Sequence, residues 1–504
     1  MTAKEDLFIL IKSLSKTEKA YFKKYASIHS SEGKQQYLML FDLLNEMSVY
    51  NESELKKKLQ PSGIKQLSVY KNYLYRIILR SQAQYARTHT NNHYLDELLL
   101  EIEVLMAKNL FSQCISLIQK AKNIARENEN FTSLLKLLQF EIRFIKQSPS
   151  VKNWKEMYES VVNEETDALR KLNDIVITRN MNADMFLFLQ SHATLKDDEI
   201  VKKQQTVLYE RLISYPMTHS SAECAINHLS AFVNYYKFTQ EPEKAYPYQF
   251  QAIEIFEQKP FLIVNEPLRY VNSLSNLLIL EMMQGDSEAF MTTLQKLKTV
   301  ETFVPKPLFS PNLQLHIFAL GLRHELSFYV RFEQYEQGVI AIEQHKKALL
   351  ENSELMNEIF FFQIAYYQAR IYFGLNQVSE VNYWLQFILQ SAINSYNKAY
   401  HFWAKMLHFL VYWQDESHEF VKSLAKSIIN FSQKYKLEMK SELYLVRRLL
   451  EINKLLNQRN REEAKNVGEN LSVYLAQNKP QESYFDYLKW WEKQKESLFV
   501  SSTI

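Results

Sequence analysis

His401 and His408 stand seven residues apart and His89 and His93 four apart, so each pair could share one face of a helix. Two imidazoles on one face are half of a metal site, yet neither pair belongs to a cluster of further ligands, and the first acid after His93 is Asp96. Both pairs are expected as ordinary core or solvated histidines. Nucleophilic chemistry is no better supported. No serine lies in a GxSxG turn, and Cys114 and Cys224 sit among apolar neighbours that favour the neutral thiol. The acidic pairs Glu164–Glu165 and Asp197–Asp198 read as solvated charge, because a catalytic dyad needs carboxylates brought together from separate elements. The expectation is a protein without enzymatic activity, metal or cofactor.

Recognition chemistry remains. Lys65, Arg76, Arg80 and Arg87 fall within about 60° of one another on a helical projection, opposite an apolar side of Leu67, Tyr70, Leu74, Ile77, Ile78 and Tyr85. No acid occurs between Glu54 and Asp96, and residues 1–95 carry 15 Lys or Arg against 8 Asp or Glu, whereas residues 96–504 carry 45 against 49. A basic stripe of this kind suits nucleic-acid phosphates or an acidic protein surface. Farther on, Gln363, Tyr366 and Arg370 share a face within about 60°, a set able to bind a peptide carboxylate or backbone.

The elements that position these residues are helical. Only 7 of 504 residues are glycine, and Glu outnumbers Asp 46 to 11. Phosphate-binding loops, dinucleotide turns and tight hairpins need glycines in close sets, because glycine alone reaches positive φ at no steric cost; here the nearest two are 17 residues apart. The long carboxylate keeps its rotamer freedom in a helix. With 46% hydrophobic residues the chain can bury a large core, and two distant cysteines fit a reducing cytoplasm. No secretory signal and no membrane-spanning run is read, so the expected setting is soluble and cytoplasmic.

A basic N-terminal helical bundle is expected over residues 1–90. Ser15 and Glu18 form a capping box, further helices cover Leu38 to Met47 and roughly Ser53 to Leu59, and Pro61 and Gly63 break the chain before the basic helix. Thr88 to Asn92 serves as the joint. Over residues 91–504, helix breaks recur at Thr239–Gln240, Gln284–Gly285, Glu333–Gln334, Asn376–Gln377, Gln414–Asp415 and Asn457–Gln458, each flanked by two apolar-periodic stretches. Tyr94 to Met106, Phe111 to Ala125 and Phe131 to Ile145 extend the pattern upstream. Residues 150–215 give long helices without a readable register. Tyr484 to Trp491 reads as a final helix covering the end of the array. Gly374 is placed at a break, Gly338 at a packing position, and Gly468 inside a helix.

Ala369, Tyr372, Asn376, Val381, Leu385 and Ile388 resemble the tetratricopeptide pattern, with a weaker match at Tyr335, Gly338, Val339 and Ile342. Val381 and Ile388 stand where that family prefers alanine, and the spacing of the breaks exceeds its 34 residues. The resemblance implies an all-α, right-handed solenoid of stacked antiparallel helical hairpins with a ligand groove. It also implies that Gln363, Tyr366 and Arg370 line that groove, with Arg323 at the comparable place one unit earlier. Two functions follow as expectations: a scaffold binding a protein or peptide in the groove, or a nucleic-acid-binding regulator with residues 35–87 as a helix-turn-helix-like module, nucleic acid met through residues 55–90, and the solenoid as a sensor or dimerisation body.

Overall fold

The computed structural model describes residues 5–29, 34–60, 66–87, 91–147, 153–192, 199–305, 309–394, 396–414, 418–437, 439–478 and 485–499. Among them there are 24 α-helices, one 3-10 turn and no strand, and helices pack mostly on their neighbours in the chain. Two compact units, Met1–Phe318 and Ala319–Ile504, divide the chain.

The first unit begins with α1 (Asp6–Ser13), α2 (Lys16–His29), α3 (Lys34–Glu46), α4 (Glu52–Leu59) and α5 (Leu67–Arg87), which share a core that includes Ile11, Phe22, Phe41, Leu55, Leu74 and Ile78. The capping box forms as read: Glu18 N–H donates to Ser15 Oγ at 3.2 Å and Ser15 N–H to Glu18 Oε2 at 2.7 Å. Asn51 caps α4 by accepting from the N–H groups of Ser53 and Glu54. A separate core then gathers α6 (Asn91–Ala107), α7 (Phe111–Glu127), α8 (Phe131–Gln147) and the 39-residue α9 (Trp154–His192). α9 packs on α8 and also on α11 (Ala222–Thr239), with α10 (Glu199–Ser214) beside them. α12 (Pro242–Gln258), α13 (Pro260–Asn265), α14 (Pro267–Gln284) and α15 (Ser287–Lys298) continue the sequence of neighbours.

α16 (Pro311–Arg331) holds the division between the units. The second unit continues with α17 (Tyr335–Glu351), α18 (Glu358–Gly374), α19 (Val378–Leu389), α20 (Lys398–Gln414), α21 (His418–Tyr435), α22 (Lys440–Asn457), α23 (Arg461–Gln477) and α24 (Tyr487–Phe499). From α17 to α24 each helix packs on the next.

One backbone device reverses the chain again and again. After α6, α7, α11, α14, α16, α18, α21 and α22 a single residue takes positive φ, and the following N–H returns to the carbonyl near the end of the helix: Leu110 to Leu105, Asn130 to Ala125, Glu241 to Tyr236, Asp286 to Glu281, Gln334 to Tyr329, Gln377 to Tyr372, Leu437 to Ser432 and Asn460 to Leu455. This is the Schellman closure, which satisfies the carbonyls a helix end leaves open. The breaks expected near residues 240, 285, 333, 376 and 457 all fall on such reversals, and Gln414 is the last residue of α20.

Glycine supplies only one of these eight positions, Gly285 at φ 77°. Asn109, Glu129, Gln240, Glu333, Asn376, Lys436 and Arg459 occupy the rest. Gly374, expected at a break, is instead the last residue of α18; the left-handed residue is Asn376. Gly374 is required for space, since a Cβ there would stand 2.5 Å from the Tyr335 ring. Gly338 likewise admits the Ile371 side chain, whose Cδ1 would be 2.7 Å from an added Cβ.

The terminal helix begins at Tyr487, Tyr484 lying outside the described residues, and it reaches across the unit. Trp491 is fully buried, and its Nε1–H donates to the Gly468 carbonyl at 3.0 Å. Trp413 of α20 lies 5.6 Å from Trp490 and 6.0 Å from Trp491 between ring centroids. Lys489 and Lys493 reach Glu333, in the reversal after α16, at 2.7 and 3.3 Å. The hydrogen bond from Lys489, opposed by burial and joined by Lys493, holds the Glu333 carboxyl below its usual range.

A left-handed residue with a side chain costs about 1–2 kcal/mol, and the extra chain entropy of glycine returns only about 0.4–1 kcal/mol of that. Arg459→Gly, at an exposed reversal, is therefore expected to raise unfolding free energy by about 0.5–1 kcal/mol in urea titration. A lower midpoint would show that the Arg459 side chain contributes more than its backbone costs.

Candidate functional site

The candidate groove residues come together on α16, α18 and α20, and they are already engaged. Arg323 Nη1 donates to Gln363 Oε1 at 3.2 Å, and Gln363 Nε2 donates to Tyr400 Oη at 2.7 Å. The Arg323 guanidinium also lies 5.8 Å from the centroid of Phe360 and contacts the fully buried His324. Burial, with the Arg323 charge adding to it, pushes His324 far below its usual range, so this imidazole is neutral. Gln363 is half-buried and Tyr366 buried. Arg370 lies on the same helix with its guanidinium 4.0 Å above the Phe485 ring, which also meets Phe373 at 5.8 Å. The segment before α24 thus covers one of the four candidates.

In the first unit a longer set of polar links joins helices in the same manner. Asn182 of α9 accepts from Asn234 of α11 at 2.9 Å; Lys237 of α11 donates to Asn276 of α14, also at 2.9 Å. Arg269 of α14 donates to Asn227 of α11 at 2.6 Å, and Asn272 meets His316 at 3.3 Å. On α14 the three residues are spaced three and four apart, so one face carries them all. Most are half-exposed, and an amide that spends one hydrogen bond on its neighbour keeps others for a ligand. Burial pushes the Lys237 ammonium below its usual range. Sequence reading missed this set, although its partners recur roughly one repeat apart, the separation that the breaks announce.

The basic stripe is only partly described. Arg76 and Arg80 are exposed on the outward side of α5, while Leu74, Ile77 and Ile78 are buried as read. Lys65 lies outside the described residues; Arg87 ends α5, and its side chain lies outside them too. Lys56 and Lys58 pair with Glu52 and Glu54 at 2.9 and 2.7 Å, and Lys71 reaches Glu52 at 3.3 Å. Three of the lysines in this region are therefore partly neutralised by their own bundle. Val69 and Tyr73 are exposed beside the arginines, so the outward side is mixed rather than purely cationic.

The other titratable residues singled out in the sequence take structural places. Glu164 is not simply solvated: Lys122, almost fully buried, bridges Glu141 and Glu164 at 2.5 and 2.9 Å, and Arg126 adds a bond to Glu164 at 2.6 Å. Burial pushes the Glu164 carboxyl up, but the bonds from Lys122 and Arg126 outweigh it and hold the group below its usual range. Asp197 and Asp198 lie outside the described residues. His401 and His408 do share a face of α20, with Lys405 between them, and His401 bonds Ser391 Oγ at 3.1 Å. Burial and then the Lys405 charge push both imidazoles down. Both cysteines are free and buried. Among the described residues no group of three or more His, Cys, Asp or Glu could hold a metal, and no helix is long and apolar enough to cross a membrane.

Removing the guanidinium that rests on Phe485 forfeits about 0.5–2 kcal/mol of cation–π attraction. Arg370→Ala is expected to speed amide hydrogen exchange through residues 485–499 by a few-fold to about thirtyfold while exchange in α22 stays unchanged. Equal exchange in both proteins would mean that the tryptophan contacts alone hold the segment. Compared with known protein families, curated proteins and solved structures, this chain shows no significant match.

Proposed function

We propose that this protein is a non-enzymatic scaffold that binds a protein or an extended peptide along the polar faces of its helix pairs, which within each unit form a right-handed, tetratricopeptide-like array. The observation that carries this reading is the repetition of half-exposed polar links between helices one pair apart, Asn182–Asn234, Lys237–Asn276 and Asn272–His316 in the first unit and Arg323–Gln363–Tyr400 in the second. Such links fix side chains that would otherwise lose rotamer entropy on binding, so a ligand backbone meets donors and acceptors already held in place. Arg323 and Gln363 then act through a shared bond, Tyr366 as a buried support, and Arg370 as a contact that becomes available when Phe485 moves away.

A photo-crosslinking residue at Asn272 or Gln363 is expected to capture a partner in cells, and the same residue at Ile340, 69% exposed on α17, to capture little. Equal yields from the three positions, or adducts from Ile340 alone, would overturn the polar-face assignment.

A second reading rests on the exposure of Arg76 and Arg80 beside a lysine-rich helix, which suits phosphate contacts. In this reading residues 1–90 form a nucleic-acid-binding module. The full chain would be retained on DNA or RNA at low salt and released as salt rises to physiological strength; no retention at low salt ends this reading, because phosphate contacts are strongest there.

A further inference from the structure

α9 presents apolar residues on two sides. Its inward stripe, including Val161, Ala168, Ile175, Met181, Met185 and Phe188, is buried against its neighbours. Its outward side carries Thr166, Asn173, Asn180 and Leu187, interleaved with Leu169, Val176, Ala183 and Gln190, and all eight are exposed. Leu169, Val176 and Leu187 expose 54%, 39% and 60% of their surface. A helix face turned to water normally carries charge. This one carries none over about 36 Å of helix.

The spacing identifies what would cover it. The eight positions alternate by three and four residues, the heptad repeat of two helices wound about each other, with Thr166, Asn173, Asn180 and Leu187 at a and Leu169, Val176, Ala183 and Gln190 at d. The flanking g positions are Glu165, Leu172, Arg179 and Phe186; the e positions are Arg170, Ile177, Asp184 and Ser191. In a parallel pair each g residue faces the e residue of the following heptad in the other chain. Glu165 then meets Arg170 of the second copy, Leu172 meets Ile177, and Arg179 meets Asp184. Both charged pairs are opposite in sign, Leu172–Ile177 is apolar on both sides, and Phe186 meets Ser191. The antiparallel arrangement that best matches a to d would keep Arg170 against Asp184 but set Arg179 against Arg179 at its centre. Asparagine at a is the device by which two identical parallel helices fix their register, since each amide finds its own copy across the axis.

We propose that this chain forms a parallel homodimer through α9, the outward heptad stripe of one copy packing on the same stripe of a second copy. The flanking charges are in place for the exchange. Arg170 now bonds Asp167 and Asp174 on its own helix, at 2.7 and 3.3 Å, and Asp184 bonds Arg211 of α10 at 2.6 Å. These are surface pairs, of the kind that contribute little and can be exchanged for contacts across an interface. Two asparagines among eight seam positions make the contact modest and concentration-dependent.

Sedimentation of the full-length chain across the micromolar range is expected to show twice the chain mass of 59.9 kDa at the upper concentrations. Leu169→Glu with Val176→Glu returns it to the single-chain mass with helical circular dichroism unchanged. Arg179→Glu weakens the dimer at least several-fold, and adding Asp184→Arg restores it. Asn173→Cys, in a chain whose two native cysteines are buried, forms a disulfide with its own copy on mild oxidation. A single-chain mass at every concentration overturns the proposal, as does a dimer that survives the double glutamate variant. A protein in which Asn173→Cys pairs with Ala183→Cys and not with itself overturns the parallel arrangement.

Discussion

The Schellman reversals set terms that everything else meets. Each ends a helix within two residues and starts the next almost at once, so the chain turns back and a second helix follows the first closely. Each helix must then bury its apolar stripe on that neighbour and on the next pair. The left-handed residue at the apex bears a backbone cost, yet seven of the eight reversals place a full side chain there. Two of these side chains do something a glycine could not. Glu129 accepts a hydrogen bond from Ala222 N–H at the start of α11, where an N-terminal helix end favours an anion, and Glu333 receives the two lysines of α24. In both cases the apex side chain ties a tight reversal to an element distant in sequence, and the contact offsets the strain of the backbone that carries it.

Between these reversals, polar and apolar contacts divide the work. Aromatic and aliphatic side chains fill the spaces between consecutive helices, while amides and long cations bridge helices one repeat apart. The buried ion cluster of Lys122, Glu141 and Glu164 shows the limit of that second role: the Lys122 side chain is withdrawn from water and spends its hydrogen bonds on the two carboxylates beside it. The links around Asn234 and Gln363 stay closer to the surface, so they hold geometry without consuming all of their hydrogen-bonding capacity.

Much of this architecture is written locally and was therefore readable. Breaks at Gln240, Gly285, Glu333 and Asn376 interrupt apolar periodicity with polar residues, and the reversal needs that interruption. The capping box at Ser15 and Glu18 is a contact between residues three apart. α9 resisted because its two apolar sides, Val161 to Phe188 within and Leu169 to Leu187 without, lie nearly opposite and cancel in any one-sided pattern. Gly374 was misplaced for a different reason: a glycine near a break suggests a turn, and only the position of Tyr335 shows that it is there to leave room for a ring. The covering of Arg370 by Phe485 depends on where the chain returns after more than a hundred residues, which periodicity does not encode.

That return has a kinetic side. A row of helix pairs touching only their neighbours behaves as a one-dimensional lattice, in which terminal pairs fray independently and folding can nucleate anywhere and spread. α24 breaks that rule by setting Trp490 and Trp491 against Trp413 of α20 and tying Lys493 to Glu333, a residue 160 positions earlier. Closing so long a loop costs entropy that grows only logarithmically with its length, but it must be met before the contact forms, so docking of α24 belongs to the late part of folding. Once made, it links the first reversal and the last pair of the second unit, so that fraying at one end forfeits contacts at the other.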